Sequence, residues 1–225
     1  MSQFRVKAVM FDLDGTLIDS APEIAFAANQ TLADLNLPAL PQSQIAHYIG
    51  EGAQALIKRC LTGKLNAEPD TALFEQAQTL FFTHYSNNVA DSQPFDGVIS
   101  GLKILWRQGF KLACVTNKPE KFTLPLLAKS GLAEFFDCVV SGDSLPNKKP
   151  HPMQLHHICK KLDVPEYEAM LVGDSNTDIE AAHAAGCFIV IVPYGYNQGK
   201  PIDTSKVDAT INELTELSNM IELLT

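Results

Sequence analysis

Asp12-Leu13-Asp14-Gly15-Thr16 follows directly on the apolar run Val6-Lys7-Ala8-Val9-Met10-Phe11, and this junction sets the architecture. A short buried strand ends in two carboxylates, and Gly15 then allows a sharp turn. Residues two apart in extended chain point the same way, so Asp12 and Asp14 can face one small site. Two acids that close repel each other unless a cation or a shared proton intervenes. A hard divalent ion with oxygen ligands suits the pair. Acidic residues and glycine are also ordinary turn formers, so the rest of the chain must separate a site from a turn.

Further short apolar runs recur with helical segments between them. Lys111 to Thr116, Cys138 to Ser141, Ala169 to Gly173 and Phe188 to Val192 read as buried strands. Helix-period segments lie between them at Val98 to Gln108, Glu120 to Ser130, Met153 to Leu162 and Thr177 to Ala185. Gly109, Gly131 and Gly186 fall where helices commonly stop, and Pro125 is expected to kink its segment. Alternation of this kind predicts a parallel sheet covered on both faces. From about Ser20 to Phe95 only helical pattern is present: Glu23 to Leu35, Gln42 to Ile49, Ala53 to Leu61 and Thr71 to Val89. That stretch reads as a helical insert, hinged near Asp19-Ser20 and Pro94-Phe95-Asp96-Gly97.

Ligands of open α/β sheets bind outside the carboxyl ends of the strands. There the sequence places Thr116-Asn117, whose hydroxyl and amide could donate to phosphate oxygens or cap a turn. Lys149, held extended by Pro150, could neutralise phosphate charge, whereas Lys148 reads as a solvated loop lysine. In Gly173-Asp174-Ser175-Asn176-Thr177-Asp178, Asp174 can be a metal carboxylate or a helix cap. Asp178, a helical turn further on, can support the metal ligands from behind.

Composition narrows the classes. The chain has 225 residues, 46% of them hydrophobic, and a net charge of −9, which suits one sizeable core with an insert. An acidic balance argues against nucleic acid, which needs clustered Lys and Arg. The five cysteines are widely spaced with no C-x-x-C pair, so they read as small core residues rather than a disulfide framework. No apolar segment approaches membrane-spanning length, and no apolar signal core precedes Asp12. A soluble, cytoplasmic protein with no membrane or nucleic-acid partner is expected, with a monomer as the working state. The six histidines show no metal-ligand spacing and receive no role.

The set Asp12-x-Asp14-Gly-Thr16, Thr116-Asn117, Lys149-Pro150 and Gly173-Asp174-Ser-x-x-Asp178 resembles the four motifs of the haloacid dehalogenase-like hydrolases. Within that superfamily, Val115-Thr116-Asn117-Lys118-Pro119, Asn147 to Pro152 and Tyr194-Gly195-Tyr196-Asn197-Gln198-Gly199 are similar to strings of bacterial phosphoglycolate phosphatases. Ser141-Gly142 departs from the glycine pair expected there. The resemblance implies an α/β fold: a Rossmann-like parallel sheet with helices on both faces (residues 1–19 and 96–225) and an inserted all-helical cap domain (residues 20–95).

It further implies a Mg²⁺-dependent phosphomonoesterase acting on a small phosphate ester, 2-phosphoglycolate first. Asp12 would be the nucleophile and Asp14 the acid and base. Mg²⁺ would be held by the Asp12 carboxylate, the Asp14 backbone carbonyl and Asp174, and Thr116, Asn117 and Lys149 would bind phosphate. A capped sugar phosphomutase, or a phosphatase for another small ester or for pyrophosphate, is the alternative. Arg59, on the segment after Gly50-Glu51-Gly52, is expected either to pair with a substrate carboxylate or to lie solvated on its helix.

Overall fold

The computed structural model describes residues 4–224; the outermost residues of the expected core, 1–3 and 225, lie outside it. In chain order the elements begin with β1 (Phe4–Val6), β2 (Ala8–Phe11) and β3 (Ile18–Asp19). Helices α1 (Ala21–Asp34), α2 (Gln42–Ala46), α3 (Ala53–Thr62) and α4 (Thr71–Asn88) follow, then β4 (Gln93–Pro94). The chain continues through α5 (Val98–Arg107), β5 (Lys111–Val115), α6 (Glu120–Lys129), β6 (Cys138–Val140), α7 (Met153–Leu162) and β7 (Ala169–Gly173). Last come α8 (Asn176–Ala185), β8 (Phe188–Ile191), β9 (Ala209–Thr210) and β10 (Ile221–Leu223).

Six of these strands form one sheet in the order β6-β5-β2-β7-β8-β9, every pair parallel. The central strand β2 is buried along its whole length, and its side chains alternate between two apolar clusters. Val9 and Phe11 join one cluster with Val98, Leu102 and Leu105 of α5 and Phe122, Leu126 and Leu127 of α6. Ala8 and Met10 join the other, with Leu155 and Ile158 of α7 and Ile179 and Ala182 of α8. Helices therefore cover both faces, as unbroken apolar strands require.

The apolar run expected as one strand is two. Lys7 breaks it: its amide donates to Glu168 O at 2.7 Å, so β1 leaves the main sheet and pairs with β10 while β2 continues between β5 and β7. Helix α6 runs from Glu120 to Lys129 with Pro125 inside it. All five cysteines are buried. No helix among the described residues is long and apolar enough to cross a membrane.

Helices α1–α4 all lie between β3 and β4, which pair antiparallel through Ile18–Pro94 and Asp19–Gln93. The two connections to the helical segment thus run side by side. Pro22 and Glu23 occupy the first turn of α1, where a missing N–H costs nothing and an acid meets the positive end of the helix. Asp70 caps α4 by accepting from the Leu73 amide at 3.0 Å. The buried face of this segment (Ile24, Ala28, Leu32, Leu56, Ile57, Phe81) is continuous with the cluster on one side of the sheet.

Candidate active site

Five strand ends converge at the carboxyl edge of the sheet. Asp12 follows β2, its amide bonded to Val172 O of β7 at 2.9 Å. The chain then turns at Gly15 with φ +90°, a conformation that favours glycine. A Cβ on Gly15 would lie 2.5 Å from Asp174 Oδ2, and one on Gly195 would overlap the Asp174 side chain. Both glycines are therefore what lets Asp174 reach this edge. Its carboxylate accepts from the Tyr196 amide (2.7 Å) and from Thr16 Oγ1 (3.3 Å). Asp174 does not cap α8: Ser175 stands at the N-terminus of that helix, and the Asp174 carboxylate turns to Thr16 and Tyr196.

Carboxylate oxygens of Asp12, Asp174 and Asp178 lie within 4.8 Å of one another, all three residues buried. Lys149 Nζ sits between two of them, 2.8 Å from Asp12 Oδ1 and 2.7 Å from Asp178 Oδ1. Burial lowers the Lys149 ammonium, but Asp12 and Asp178 outweigh it and hold the pKa above the usual range. One ammonium does not balance three acids. Burial pushes Asp12 up from 3.8 to about 7; Lys149 pulls it down, and Asp178 and Asp14 oppose that pull. Asp174 is raised well above its ordinary value by burial and by Asp178 and Asp12.

A hard divalent cation fits this set, since it supplies the missing positive charge to oxygen donors. Asp12 and Asp174 could hold it through their carboxylates. Asp178 is otherwise engaged: its Oδ2 accepts from Ser175 Oγ (2.6 Å), Ser175 N (3.2 Å) and Asp174 N (3.3 Å), while Oδ1 accepts from Lys149. It holds Lys149 and the turn after β7 in place, as a support behind the ligands would.

The Asp14 side chain is set apart from that cluster. Its Oδ1 accepts from Lys118 Nζ at 2.6 Å, and Lys118 is buried against the Tyr85 ring, 5.0 Å from the centroid. Burial lowers the Lys118 ammonium too, and Asp14 more than compensates. Sequence reasoning gave Lys118 no role, because the groups that bury it lie far away in the chain.

Thr116 closes β5, its hydroxyl accepting from the Lys118 amide at 3.1 Å. Asn117 Nδ2 donates to Lys149 O and to Gly50 O, both at 2.9 Å. Gln154, also unforeseen, ties these ends together: it donates to Thr116 O and Ser141 O and accepts from the Lys149 amide. Gln154 thus brings Thr116 and Lys149 together, whereas the Asn117 side-chain amide, expected to donate to phosphate, commits both hydrogens to Lys149 O and Gly50 O.

That segment closes over the site through the Gly50-Glu51-Gly52 turn. Besides the Asn117 bond, Lys148 Nζ donates to Glu51 O at 2.8 Å and Gln198 donates to the Glu51 carboxylate. Lys148 is not the solvated loop residue its sequence suggests; it bridges to the turn. Tyr196 ties the start of α1 to this edge of the sheet: its hydroxyl accepts from Ser20 N and Ala21 N and donates to Asp19. A cavity of about 40 Å³ remains, lined by Asp12, Asp14, Thr116 and Lys118 from the core and Gly50 and Tyr85 from the helices, among others.

Arg59 does not line it, and neither expectation for this residue holds. Its guanidinium is buried within the helical segment, bonded to Glu51 Oε1 (2.7 Å), Tyr48 O (3.1 Å) and Leu65 O (3.1 Å). The reason is local: Glu51 and two backbone carbonyls each engage one of the three guanidinium nitrogens and hold the group buried inside the helical segment. Arg59→Met should lower stability by about 1.5–3 kcal/mol, the scale of hydrogen bonds to a charged group. Preference between a phosphate ester with a carboxylate and one without should not change. Thermal denaturation and paired kcat/KM values check both statements.

A family model described as haloacid dehalogenase-like hydrolase matches residues 9–192, which include every motif residue above. The chain belongs to the haloacid dehalogenase-like hydrolases. This hydrolase is 46% identical over 217 residues to the phosphoglycolate phosphatase of Thiobacillus denitrificans, with 96% of each chain covered. It is 48% identical over 218 residues to that of Nitrosospira multiformis, again with 96% of each covered. Its structure matches a crystal structure described as a predicted phosphoglycolate phosphatase from Haemophilus somnus. There the TM-score is 0.89 at 36% identity, covering 95% of this chain and 97% of that one.

Proposed function

We propose that this hydrolase is a Mg²⁺-dependent phosphatase that converts 2-phosphoglycolate to glycolate and phosphate. The observation that carries the reaction is the division of labour at the end of β2. Asp12 meets Lys149 and the acidic cluster, while Asp14 stands beside it on Lys118. The Asp12 carboxylate attacks phosphorus and a P–O bond forms to it as the bond to the glycolate oxygen breaks. Protonated Asp14 gives its proton to that leaving oxygen. As carboxylate, Asp14 then removes a proton from the water that attacks phosphorus, the bond to Asp12 breaks, and orthophosphate leaves with Asp14 protonated again. Lys149 and Thr116 would donate to the phosphoryl oxygens, where positioning and electrostatics carry most of the catalysis, and Asn117 would hold the Lys149 backbone in place. Bound Mg²⁺ would neutralise phosphoryl charge between Asp12 and Asp174.

Residues 20–95 act as the cap and residues 1–19 and 96–225 as the core, divided at the paired strands β3 and β4. Closure at Gly50-Glu51-Gly52 excludes water from the transfer. The named relatives favour 2-phosphoglycolate over a sugar phosphate. Phosphate release from 2-phosphoglycolate, a sugar phosphate and pyrophosphate tests the reading. The highest kcat/KM should fall on 2-phosphoglycolate. A preference for either rival, or turnover of a sugar phosphate with no net phosphate release, would overturn it.

Metal dependence has a signature in stability as well as activity. A carboxyl whose folded pKa lies above its unfolded value binds extra protons when folded, so its contribution to stability is lost as pH rises. For Asp12 the window runs from 3.8 to about 7, and the loss amounts to a few kcal/mol. EDTA-treated protein should therefore melt lower at pH 7.5 than at pH 5.5. Added Mg²⁺ should raise the melting temperature more at the higher pH and restore activity. An EDTA-insensitive enzyme, or equal Mg²⁺ shifts at both pH values, would contradict this site.

A further inference from the structure

With Arg59 held inside the helical segment, the carboxylate of a substrate such as 2-phosphoglycolate needs another cation, because a buried charge without a partner is costly. Lys118 is the only Lys, Arg or His among the described residues lining the cavity between the core and the helical segment. Its ammonium has three donors, of which Asp14 Oδ1 takes one at 2.6 Å. Lys149 does not line this cavity, and with two donors on Asp12 and Asp178 its third would serve the phosphoryl group.

A second observation marks the same wall. The buried Tyr85 hydroxyl lines the cavity beside the Lys118 ammonium, which can donate to its oxygen, and no group among the described residues accepts the phenol's own proton. A buried phenol proton with no acceptor calls for one, and a carboxylate accepts from both a phenol and an ammonium. Phe122, edge-on to Tyr85 at 4.9 Å between centroids, fixes the ring.

Substrate connectivity then places the group. In 2-phosphoglycolate a single methylene separates the bridging oxygen from the carboxylate carbon. Asp14 must come within hydrogen-bond reach of that bridging oxygen to protonate it. A cation already touching Asp14 therefore stands where the carboxylate must lie. We propose that Lys118, with the Tyr85 hydroxyl, receives the substrate carboxylate and selects small acidic phosphate esters. This inference rests on the phosphoglycolate reading and names the residues that would enforce it.

The test compares kcat/KM for 2-phosphoglycolate with that for ethyl phosphate, which keeps the ester and lacks the carboxylate. Wild type should favour 2-phosphoglycolate. Lys118→Met keeps the apolar stem and should lower that ratio at least about thirtyfold, the scale of removing one side of a buried charge pair. Most of the change should appear as a higher KM for 2-phosphoglycolate. Tyr85→Phe should lower the ratio about threefold to tenfold, and it decides the matter alone if the lysine variant does not fold. If both esters suffer equally, Lys118 only steadies Asp14 and the inference falls while the substrate reading stands. If wild type itself shows no preference over ethyl phosphate, the substrate reading fails and this inference with it.

Discussion

Asp12→Asn should abolish turnover, a loss of at least about a thousandfold as expected for removing a nucleophile, without loss of stability. The amide is nearly isosteric but cannot attack phosphorus. Stability should hold because the charge removed is poorly accommodated: burial and the neighbouring acids already push Asp12 up to about 7. Lys149 keeps Asp178 as a partner at 2.7 Å. In the absence of metal at pH 7.5, the variant should melt at or above wild type. Steady-state phosphate release and thermal denaturation on the same preparation check the pair of outcomes. Substantial residual turnover would remove Asp12 from its role, and marked destabilisation would mean that its charge is better paired than the geometry indicates.

Lys149→Met should do the opposite to the fold. The side chain is almost wholly buried, and it is the shared cation of Asp12 and Asp178. Truncating one partner of such an arrangement leaves uncompensated buried charge and costs about 3–5 kcal/mol. Part of that loss should return as pH falls and the remaining carboxylates take up protons. Turnover should fall as well, because phosphoryl oxygens lose their ammonium. Denaturant unfolding at pH 5.5 and 7.5 gives the measurement. A loss below about 1 kcal/mol, the scale of an exposed pair, would contradict the bridging role.

Much of this site was legible because the chemistry sits at strand ends that announce themselves. Four buried residues in β2 followed by Asp12 and Asp14 mark both a strand and its terminus. The same logic locates Thr116 after β5 and Asp174 after β7. What the sequence did not disclose depends on contacts distant in the chain. Lys118 carries no local sign of a role, because Asp14 and helix α4, which enclose it, lie far away in the chain. Arg59 reads as a residue free to meet substrate until Glu51, Tyr48 and Leu65 hold it inside the helical segment. Strands β9 and β10, of two and three residues, are too short to show a period, and they exist because neighbouring strands supply their partners. Lys7 interrupts an apolar run that local pattern alone would leave whole.

The distinction between Asp12 as nucleophile and Asp12 as a mere metal ligand is sharpest in a single turnover. Enzyme with Mg²⁺ is mixed with phosphorus-labelled 2-phosphoglycolate, quenched in acid at short times, digested and mapped by mass spectrometry. Label should appear on the peptide carrying Asp12, rise and decay fast enough to account for steady-state turnover, and be absent from Asp12→Asn. Turnover of 2-phosphoglycolate with no label on Asp12, or with label on another side chain, would contradict the assignment of Asp12 as the group that takes the phosphoryl from substrate.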